Sequence, residues 1–198
     1  MATAHDTKIV VDIENFKLCT VMKEDGESIS IRSLWEHQPA IFVFLRHFAC
    51  DACRRHALDV WENRKKYEEK GAKIHFIGNG SPHFLAEFKK TFGLQEASFY
   101  TDPTLKTFRA AGFKKGFWID PGTMHSRPEF LYKAIRFAAR KENAGSGNVW
   151  QLGGVLVVCP GALPTYQFTS LTMGHFPPIN DIPVIVASAK KKLETVDT

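Results

Sequence analysis

Two uninterrupted apolar runs place the tightest limits on how this chain can fold. Residues 41–45 read IFVFL, and residues 154–159 read GVLVVC. Runs of this length without a polar residue are typical of central strands that are covered on both faces. Strand-like and helix-like segments alternate through the first two thirds of the chain, which favours helices packed on a sheet. The sequence therefore predicts an α/β fold in which helices flank a mixed central sheet.

Glycine, proline and capping residues divide the rest of the chain into elements. The predicted helices are 51–70, closed by Gly71, a helix capped by Ser81 and Pro82, a helix that starts at Asp102 and Pro103, and 178–192. The further predicted strands are 73–78, 98–101 and 165–169. A turn at Pro160 and Gly161 should join the last strand to 154–159 as an antiparallel hairpin. The residues that repeat every four positions and should pack on the sheet are Phe84, Phe88 and Phe92.

The length of 198 residues is sufficient for one sizeable hydrophobic core. We expect a single domain over residues 1–198, with a helical insertion at 113–150. The insertion holds seven Lys or Arg against three Asp or Glu, and residues 129–141 have the pattern of a basic amphipathic helix. Such a helix is typical of a lid with a solvated basic face, and it can also bind an anionic membrane or an acidic partner.

The overall charge and hydropathy limit the partners of the chain. Lys and Arg outnumber Asp and Glu by 26 to 21, a formal net charge of +5. This modest excess does not indicate binding to nucleic acid. No apolar stretch reaches the roughly 18 residues of a membrane span, and the first residues, MATAHDTK, lack the pattern of a secretory signal. The sequence therefore predicts a cytoplasmic protein with no nucleic-acid partner and no membrane span.

Two of the four cysteines, Cys50 and Cys53, lie where the first apolar run gives way to a predicted helix. A thiolate at the start of a helix faces unpaired backbone N–H groups and the positive end of the helix dipole, so Cys50 should ionise readily. Residues three apart on a helix are close enough to form a disulfide. The position of the pair therefore predicts thiol–disulfide chemistry.

The charges around the pair have opposite effects on the ionisation of Cys50. Three arginines favour the thiolate of Cys50, and Asp51 opposes it; the arginines are Arg46, Arg54 and Arg55. The resulting hypothesis is that Cys50 attacks a peroxide or a substrate disulfide and that Cys53 resolves the product into a Cys50–Cys53 disulfide. An external thiol such as thioredoxin or glutathione would then reduce the disulfide. This chemistry needs no metal and no organic cofactor.

Two other interpretations of the cysteines remain open. The spacing of His47, Cys50, Cys53 and His56 could be that of zinc ligands, although successive three-residue steps on a helix turn these side chains away from one another. The pair could also be inert structural thiols. Cys19 and Cys159 are more typical of buried small hydrophobic residues than of a resolving thiol.

Several ordered segments give the chain a family resemblance. They are 44–53 (FLRHFACDAC), 77–82 (IGNGSP), 100–103 (YTDP), 151–154 (QLGG) and Pro177-Pro178. In their order and spacing the chain resembles the peroxiredoxin-like branch of the AhpC/TSA family, within the thioredoxin superfamily. The resemblance implies a thioredoxin-like fold and an antioxidant, thiol-dependent peroxidase activity. Some relatives in this branch look like prostamide or prostaglandin reductases, which would use the same thiols on an endoperoxide.

The resemblance also implies which residues surround the cysteines. The strand that starts at Gly154 should run antiparallel to the one that ends at Arg46, so that Gly153 and Gly154 face Cys50 and bring main-chain groups to the substrate. Ordinary peroxiredoxins carry a proline and a threonine where this chain has Val43 and His47. The expected supporting residues beside Cys50 are Arg46, whose charge favours the thiolate, and His47, at the rim of the site.

A second group of supporting residues follows the neighbouring parallel strand. Asn79, Gly80 and Ser81 end this strand at the rim of the sheet where open α/β sheets usually bind ligands. They could equally be turn residues with no ligand. We also expect His175 at the rim, by analogy alone.

The sequence thus favours a thiol-disulfide oxidoreductase, most of all a thiol-dependent peroxidase. A non-enzymatic redox-sensitive binding module is the alternative, in which the Cys50–Cys53 disulfide switches a partner surface. Catalytic turnover with a thiol donor distinguishes the two.

Overall fold

A computed structural model describes residues 8–115, 145–171 and 175–177 of the chain. The helices are Ile13–Lys17 (α1), Asp51–Glu62 (α2), Arg64–Glu68 (α3), Pro82–Phe92 (α4) and Lys106–Ala110 (α5). The strands are Thr20–Met22 (β1), Ser28–Ser30 (β2), Ala40–Phe44 (β3), Lys73–Gly78 (β4), Phe99–Thr101 (β5), Gly154–Cys159 (β6) and Leu163–Thr169 (β7). None of the helices described has the length and hydropathy of a membrane-spanning segment.

The seven strands form one mixed sheet in the order β2-β1-β5-β4-β3-β6-β7. β3 is parallel to β4 and antiparallel to β6, and β6 and β7 form an antiparallel hairpin. The mixed sheet, its two central apolar strands and the hairpin confirm the α/β prediction. The carboxyl ends of β3 and β4 lie side by side, which brings the residues that follow each strand together.

The two faces of β3 contribute to two separate cores because side chains alternate along a strand. Ile41 and Val43 belong to the core that contains Cys50 and Cys53, whereas Phe42 and Phe44 belong to the core on the other face. All five residues of β3 are buried. Burial on both faces explains why the run is uninterrupted in the sequence.

The predicted single helix over 51–70 is wrong in one respect: it is broken at Asn63. The backbone of Asn63 has φ −89° and ψ 5°, outside the helical geometry. Its side-chain Nδ2 donates to the carbonyl oxygen of Asp59 at 2.8 Å, so the amide competes with the backbone for hydrogen bonds. Gly71 has a φ of +77°, as expected of the glycine that follows the pair of helices.

The helix predicted to start at Asp102 and Pro103 begins later, at Lys106. The Asp102 carboxylate is buried and accepts four hydrogen bonds, from the backbone N–H and the hydroxyl of both Thr104 and Thr107. Asp102 therefore caps α5 across an intervening turn, in which Leu105 takes a left-handed φ of +59°. Leu105 is nevertheless buried.

The aromatic stripe on α4 packs against the sheet, as predicted. Phe88 is buried, and Phe84 and Phe92 pack against the same core from its edge. Ser81 caps the helix through its hydroxyl, and Pro82 occupies the first turn. The cap fixes the point at which the chain turns from β4 into α4, beside the end of β3.

The described ends of the predicted insertion lie next to each other. Lys115 and Gln151 form an isolated antiparallel bridge, and the Leu152 N–H donates to the Lys114 carbonyl oxygen at 3.1 Å. The residues on either side of the predicted insertion are therefore paired with each other in the described fold. The helices predicted over 129–141 and 178–192 lie outside the described residues.

Candidate active site

Cys50 is the N-cap residue of α2 and lies at the end of the loop that follows β3. Cys50 is 7% exposed, and Cys53, one turn along the helix, is completely buried. The backbone N–H of Cys53 donates to Cys50 Sγ at 3.4 Å. The sulfur of Cys50 thus occupies the place that an N-cap oxygen usually takes, where it faces the unpaired N–H groups of the helix.

Arg46 is buried beside Cys50. Its Nη1 donates to Cys50 Sγ at 3.7 Å, and its Nη2 donates to the carbonyl oxygen of Val149. Its Nε has no hydrogen-bond partner in the part of the chain that the structure describes. A buried guanidinium next to a thiol favours the thiolate because the charged sulfur is the partner for that cation.

The two cysteines have opposite acidities. The pKa of Cys50 is lowered to about 6, first by a hydrogen bond from the Cys53 thiol, with burial opposing and the Arg46 charge assisting. The pKa of Cys53 is raised well above its usual value, first because its thiol donates to Cys50 and then because it is buried. The pair therefore favours a thiolate at Cys50 and a protonated thiol at Cys53.

The other charges near the pair act less directly than the sequence suggested. Asp51 is 85% exposed at its side chain and pairs with Arg54 Nη1 at 3.2 Å. Arg54 also donates from Nε to the Phe48 carbonyl oxygen, and Arg55 is exposed. Of the three arginines, Arg46 is the one whose guanidinium contacts Cys50 Sγ.

Asn79, at the end of β4, lies next to the loop that leads to Cys50. This residue is 3% exposed. Its Nδ2 donates to the Arg46 carbonyl oxygen, and its Oδ1 accepts from the Asn148 N–H. The structure therefore brings Asn79 and Arg46 together, and the amide of Asn79 is engaged by backbone groups on both sides.

The two residues that follow Asn79 are also engaged by neighbouring segments. A side chain at Gly80 would collide with Phe48 and with the carbonyl oxygen of Ser146. The Ser81 hydroxyl accepts from the Phe84 N–H at 3.4 Å, and the Ser81 N–H donates to the Gly145 carbonyl oxygen at 2.6 Å. Gly80 and Ser81 thus fix the turn from β4 into α4.

Residues 145–149, which we call the covering segment, are the part of the site that the sequence did not reveal. The Phe48 N–H donates to the Ser146 carbonyl oxygen at 3.0 Å, and the Arg46 guanidinium donates to that of Val149. Gly147 has a φ of +117°, and a side chain there would collide with Asn79. The Gly-Ser-Gly sequence at 145–147 was the available signal, since glycine permits both the φ and the close approach.

Gly153 and Gly154 lie at the start of β6, which runs antiparallel to β3 as the resemblance implied. A side chain at Gly153 would collide with the carbonyl oxygen of Phe44 on β3, and one at Gly154 would collide with the carbonyl oxygen of Phe168 on β7. The close approach at both glycines is thus explained by packing within the sheet. Gly154 pairs with Phe44, two residues before Arg46.

The histidines near the pair are buried or turned elsewhere. His47 is buried, and its pKa is lowered to about 3 by burial and by the charges of Arg46 and Arg54. The ring of His56 stacks on Phe176 at 4.1 Å. His175 is exposed, and its carbonyl oxygen accepts from the Ser170 hydroxyl at 2.7 Å. No three His, Cys, Asp or Glu side chains converge in a metal-binding arrangement among the residues described.

The remaining cysteines are buried away from the pair. Cys19 donates from Sγ to the Asn15 carbonyl oxygen at 3.3 Å and belongs to the core on the other face of the sheet. Cys159 lies at the opposite end of β6 from Gly154, with Sγ 3.9 Å from the Thr165 hydroxyl. All four cysteines are free thiols in this structure. Burial raises the pKa of both Cys19 and Cys159, so neither is poised as a nucleophile.

Comparison with known proteins identifies the family. Residues 60–170 match a family model described as AhpC/TSA antioxidant enzyme. The prostamide/prostaglandin F synthase of Salmo salar is 29% identical over 164 residues, which cover 79% of this chain and 78% of that protein.

The fold is also found among solved structures. Peroxiredoxin Q of Xanthomonas campestris has a TM-score of 0.63 at 13% identity, covering 91% of this chain and 96% of that one. Peroxidoxin BcpB of Mycobacterium tuberculosis has a TM-score of 0.61 at 12% identity, covering 86% and 92%. The chain therefore has a thioredoxin-like fold and belongs to the AhpC/TSA antioxidant enzyme family.

Proposed function

We propose that this chain is a two-cysteine, thiol-dependent peroxidase in which Cys50 is the nucleophile and Cys53 is the resolving thiol. The observation that carries the proposal is the environment of Cys50 Sγ. This sulfur accepts hydrogen bonds from the buried guanidinium of Arg46 and from the N–H of Cys53 at the start of α2. Both contacts favour the anionic sulfur that attacks a peroxide.

The first step forms a sulfur–oxygen bond and breaks the oxygen–oxygen bond. The Cys50 thiolate attacks one oxygen of the peroxide, and the other oxygen leaves as an alkoxide or hydroxide that takes a proton from solvent. Sulfur is oxidised to a sulfenic acid while the peroxide is reduced to an alcohol or water. The Arg46 cation beside Sγ stabilises the negative charge that is redistributed in this step.

The second step forms the disulfide. Cys53 lies one helical turn from Cys50 and keeps its proton at neutral pH. Its sulfur attacks the sulfenic acid of Cys50, a disulfide bond forms, and the hydroxyl leaves with the Cys53 proton as water. An external dithiol, or two monothiols of the glutathione class, then gives two electrons and two protons to the disulfide and restores both thiols.

An endoperoxide is a second candidate substrate, supported by the names of several relatives. Proteins named prostamide/prostaglandin F synthase are 26–29% identical to this chain. Attack of Cys50 on one endoperoxide oxygen would release the other as an alcohol, and attack of Cys53 on Cys50 sulfur would release the first. The products are a diol and a Cys50–Cys53 disulfide, so the same two thiols balance this reaction.

Peroxide consumption coupled to a thiol donor tests the proposal. The wild type and Cys159→Ser should both consume hydrogen peroxide or an organic hydroperoxide over many turnovers with thioredoxin or glutathione, and Cys50→Ser should not. Cys159→Ser is the matched control because it removes a buried thiol remote from the pair. A single stoichiometric oxidation without turnover would instead support a redox-sensitive binding module.

A further inference from the structure

The hydrogen bonds of Arg46 form a closed ring that includes Asn79. One end of Arg46, its backbone carbonyl, accepts from Asn79 Nδ2, and the other end, the guanidinium, donates to the Val149 carbonyl oxygen. Asn79 Oδ1 accepts from the N–H of Asn148, the residue before Val149. Asn79 thus holds both the backbone of Arg46 and the segment that anchors its guanidinium.

We propose that Asn79 is a positioning residue that keeps the Arg46 guanidinium against Cys50 Sγ by fixing both of its anchoring points. The proposal rests on the proposed function of Cys50, and it adds a residue that touches neither cysteine in the hydrogen bonds described. It also explains why residues 69 positions apart in the sequence, Asn79 and Asn148, are joined in the structure.

The side chain at this position must donate and accept at the same time. A primary amide does both, whereas a carboxylate lacks the donor and an aliphatic side chain lacks both groups. Asn79 is 3% exposed, so water is poorly placed to replace either bond. Gly147 leaves the space into which the amide oxygen fits, because a side chain there would collide with Asn79 Oδ1.

The guanidinium has few other constraints among the described residues. No carboxylate pairs with Arg46 in the ion pairs of the described residues, and its Nε has no partner there. An arginine side chain has many rotamers, so the cation stays near Sγ only if its anchors are fixed. Release of the covering segment at Asn148 would therefore withdraw positive charge from Cys50.

Gln167 provides a matched control in the same protein. It is a completely buried amide whose Nε2 donates to the Ala111 carbonyl oxygen at 2.6 Å. Its Oε1 accepts from the N–H groups of Val10 and Val11 at 2.9 and 3.0 Å. Gln167→Ala removes the same chemistry as Asn79→Ala, but at a segment that does not hold Arg46.

The experiment is the pH profile of Cys50 alkylation by iodoacetamide, resolved by mass spectrometry, in the reduced full-length chain. In Asn79→Ala the midpoint should rise by about one pH unit or more, because an opposite charge withdraws from the thiolate. Gln167→Ala should leave the midpoint unchanged. A folded Asn79→Ala protein with the wild-type midpoint would overturn the proposal.

A double-mutant cycle with Arg46→Met identifies the route of the effect. If Asn79 acts through Arg46, Asn79→Ala should not shift the midpoint further in an Arg46→Met background. An equal shift in both backgrounds would contradict the proposal. If Asn79→Ala does not fold, the isosteric Asn79→Asp takes its place. The added negative charge of Asp acts on Cys50 both with Arg46 and with Arg46→Met. A larger shift of the alkylation midpoint with Arg46 present supports the positioning role, and an equal shift in both backgrounds contradicts it.

These readouts separate the positioning role from the peroxidase proposal. Alkylation requires no peroxide turnover, so a wild-type chain without turnover would remove the proposed function and leave the Asn79 result standing. Conversely, normal turnover together with an unshifted midpoint of Cys50 alkylation in Asn79→Ala would contradict only the positioning role.

Discussion

Nη1 of Arg46 lies 3.7 Å from Sγ of Cys50, and both groups are buried. The cation lies two residues after the end of β3 and the sulfur lies at the start of α2, four residues further along the chain, so one short loop brings them together. The threonine that ordinary peroxiredoxins place three residues before the cysteine is His47 here, and the pKa of His47 is lowered to about 3. In this chain the positive charge beside the thiolate is therefore that of Arg46.

Replacing Arg46 should make Cys50 less reactive. Arg46→Met removes the cation, and the pKa of Cys50 should rise by about two units, so that the thiol alkylates roughly ten times more slowly near pH 7. Asp51→Asn is the control, because Asp51 is exposed and pairs with Arg54. Residue-resolved alkylation measures both variants, and a larger effect of Asp51→Asn would show that the helix-end charges dominate instead.

The two cysteines should fail in different ways when replaced. Cys50→Ser should abolish peroxide reduction, because the nucleophile is lost. Cys53→Ser should still oxidise once, to a sulfenic acid at Cys50 that dimedone traps, but no Cys50 disulfide should form within the chain. Equal activity of the two variants in the coupled turnover assay would contradict the assignment of Cys50 as nucleophile and of Cys53 as resolving thiol.

Asp102 should be one of the most sensitive positions for stability. Asp102→Ala leaves four donors of Thr104 and Thr107 without their acceptor, two of them buried. Hydrogen bonds to a charged group contribute about 1.5–3 kcal/mol each when buried, so we expect a loss of about 3 kcal/mol or more in the free energy of unfolding. Urea denaturation measures it, with Thr104→Ala as the control at about 1 kcal/mol or less.

The buried histidines predict a loss of stability in mild acid. Burial is the first cause that lowers the pKa of His47 and His75 to about 3 and that of His56 to about 4. These folded-state pKa values lie below the value of 6.5 in the unfolded chain. The contribution of the histidines to the free energy of unfolding is therefore fully present above pH 6.5, and it is lost as the pH falls towards the folded-state values. Each histidine contributes a slope of about 1.4 kcal/mol per pH unit within this window.

His75→Phe checks this pH dependence at one position. His75 lies between the rings of Phe42 and Tyr100, at 5.6 and 5.8 Å, so phenylalanine retains the ring. Urea denaturation near pH 7 and near pH 5 should show a smaller pH difference for the variant than for the wild type. A wild-type stability that stays constant between these pH values would contradict the role of the histidines.

Local patterns predicted the parts of the fold that depend on local physics. β3 and β6 followed from apolar runs buried on both faces, and α4 followed from the Ser81 cap. The position of Cys50 at a helix start followed from the change from an apolar run to a helical one. In each case a short stretch of sequence contains the cause of the structure.

The sequence did not predict the hydrogen bonds between distant residues of the candidate site. The bond from Arg46 to Val149 spans 103 residues, and that between Asn79 and Asn148 spans 69. Hydrophobic periodicity gives no information on contacts between such distant residues. The sequence could therefore place Asn79 at the rim of the sheet, but it could not predict the hydrogen bond to Arg46. The break at Asn63 and the late start of α5 are local, but they depend on side-chain hydrogen bonds that helix propensity does not include.

Mass-spectrometric mapping of the reduced chain after one equivalent of hydrogen peroxide decides whether Cys50 and Cys53 form the redox pair. Trypsin cleavage after Arg46 and Arg54 leaves both cysteines in one peptide, HFACDACR. We predict that this peptide loses two hydrogens as a Cys50–Cys53 disulfide while Cys19 and Cys159 remain reduced. Oxidation at Cys19 or Cys159, with the Cys50 peptide still reduced, would contradict the assignment of the active site.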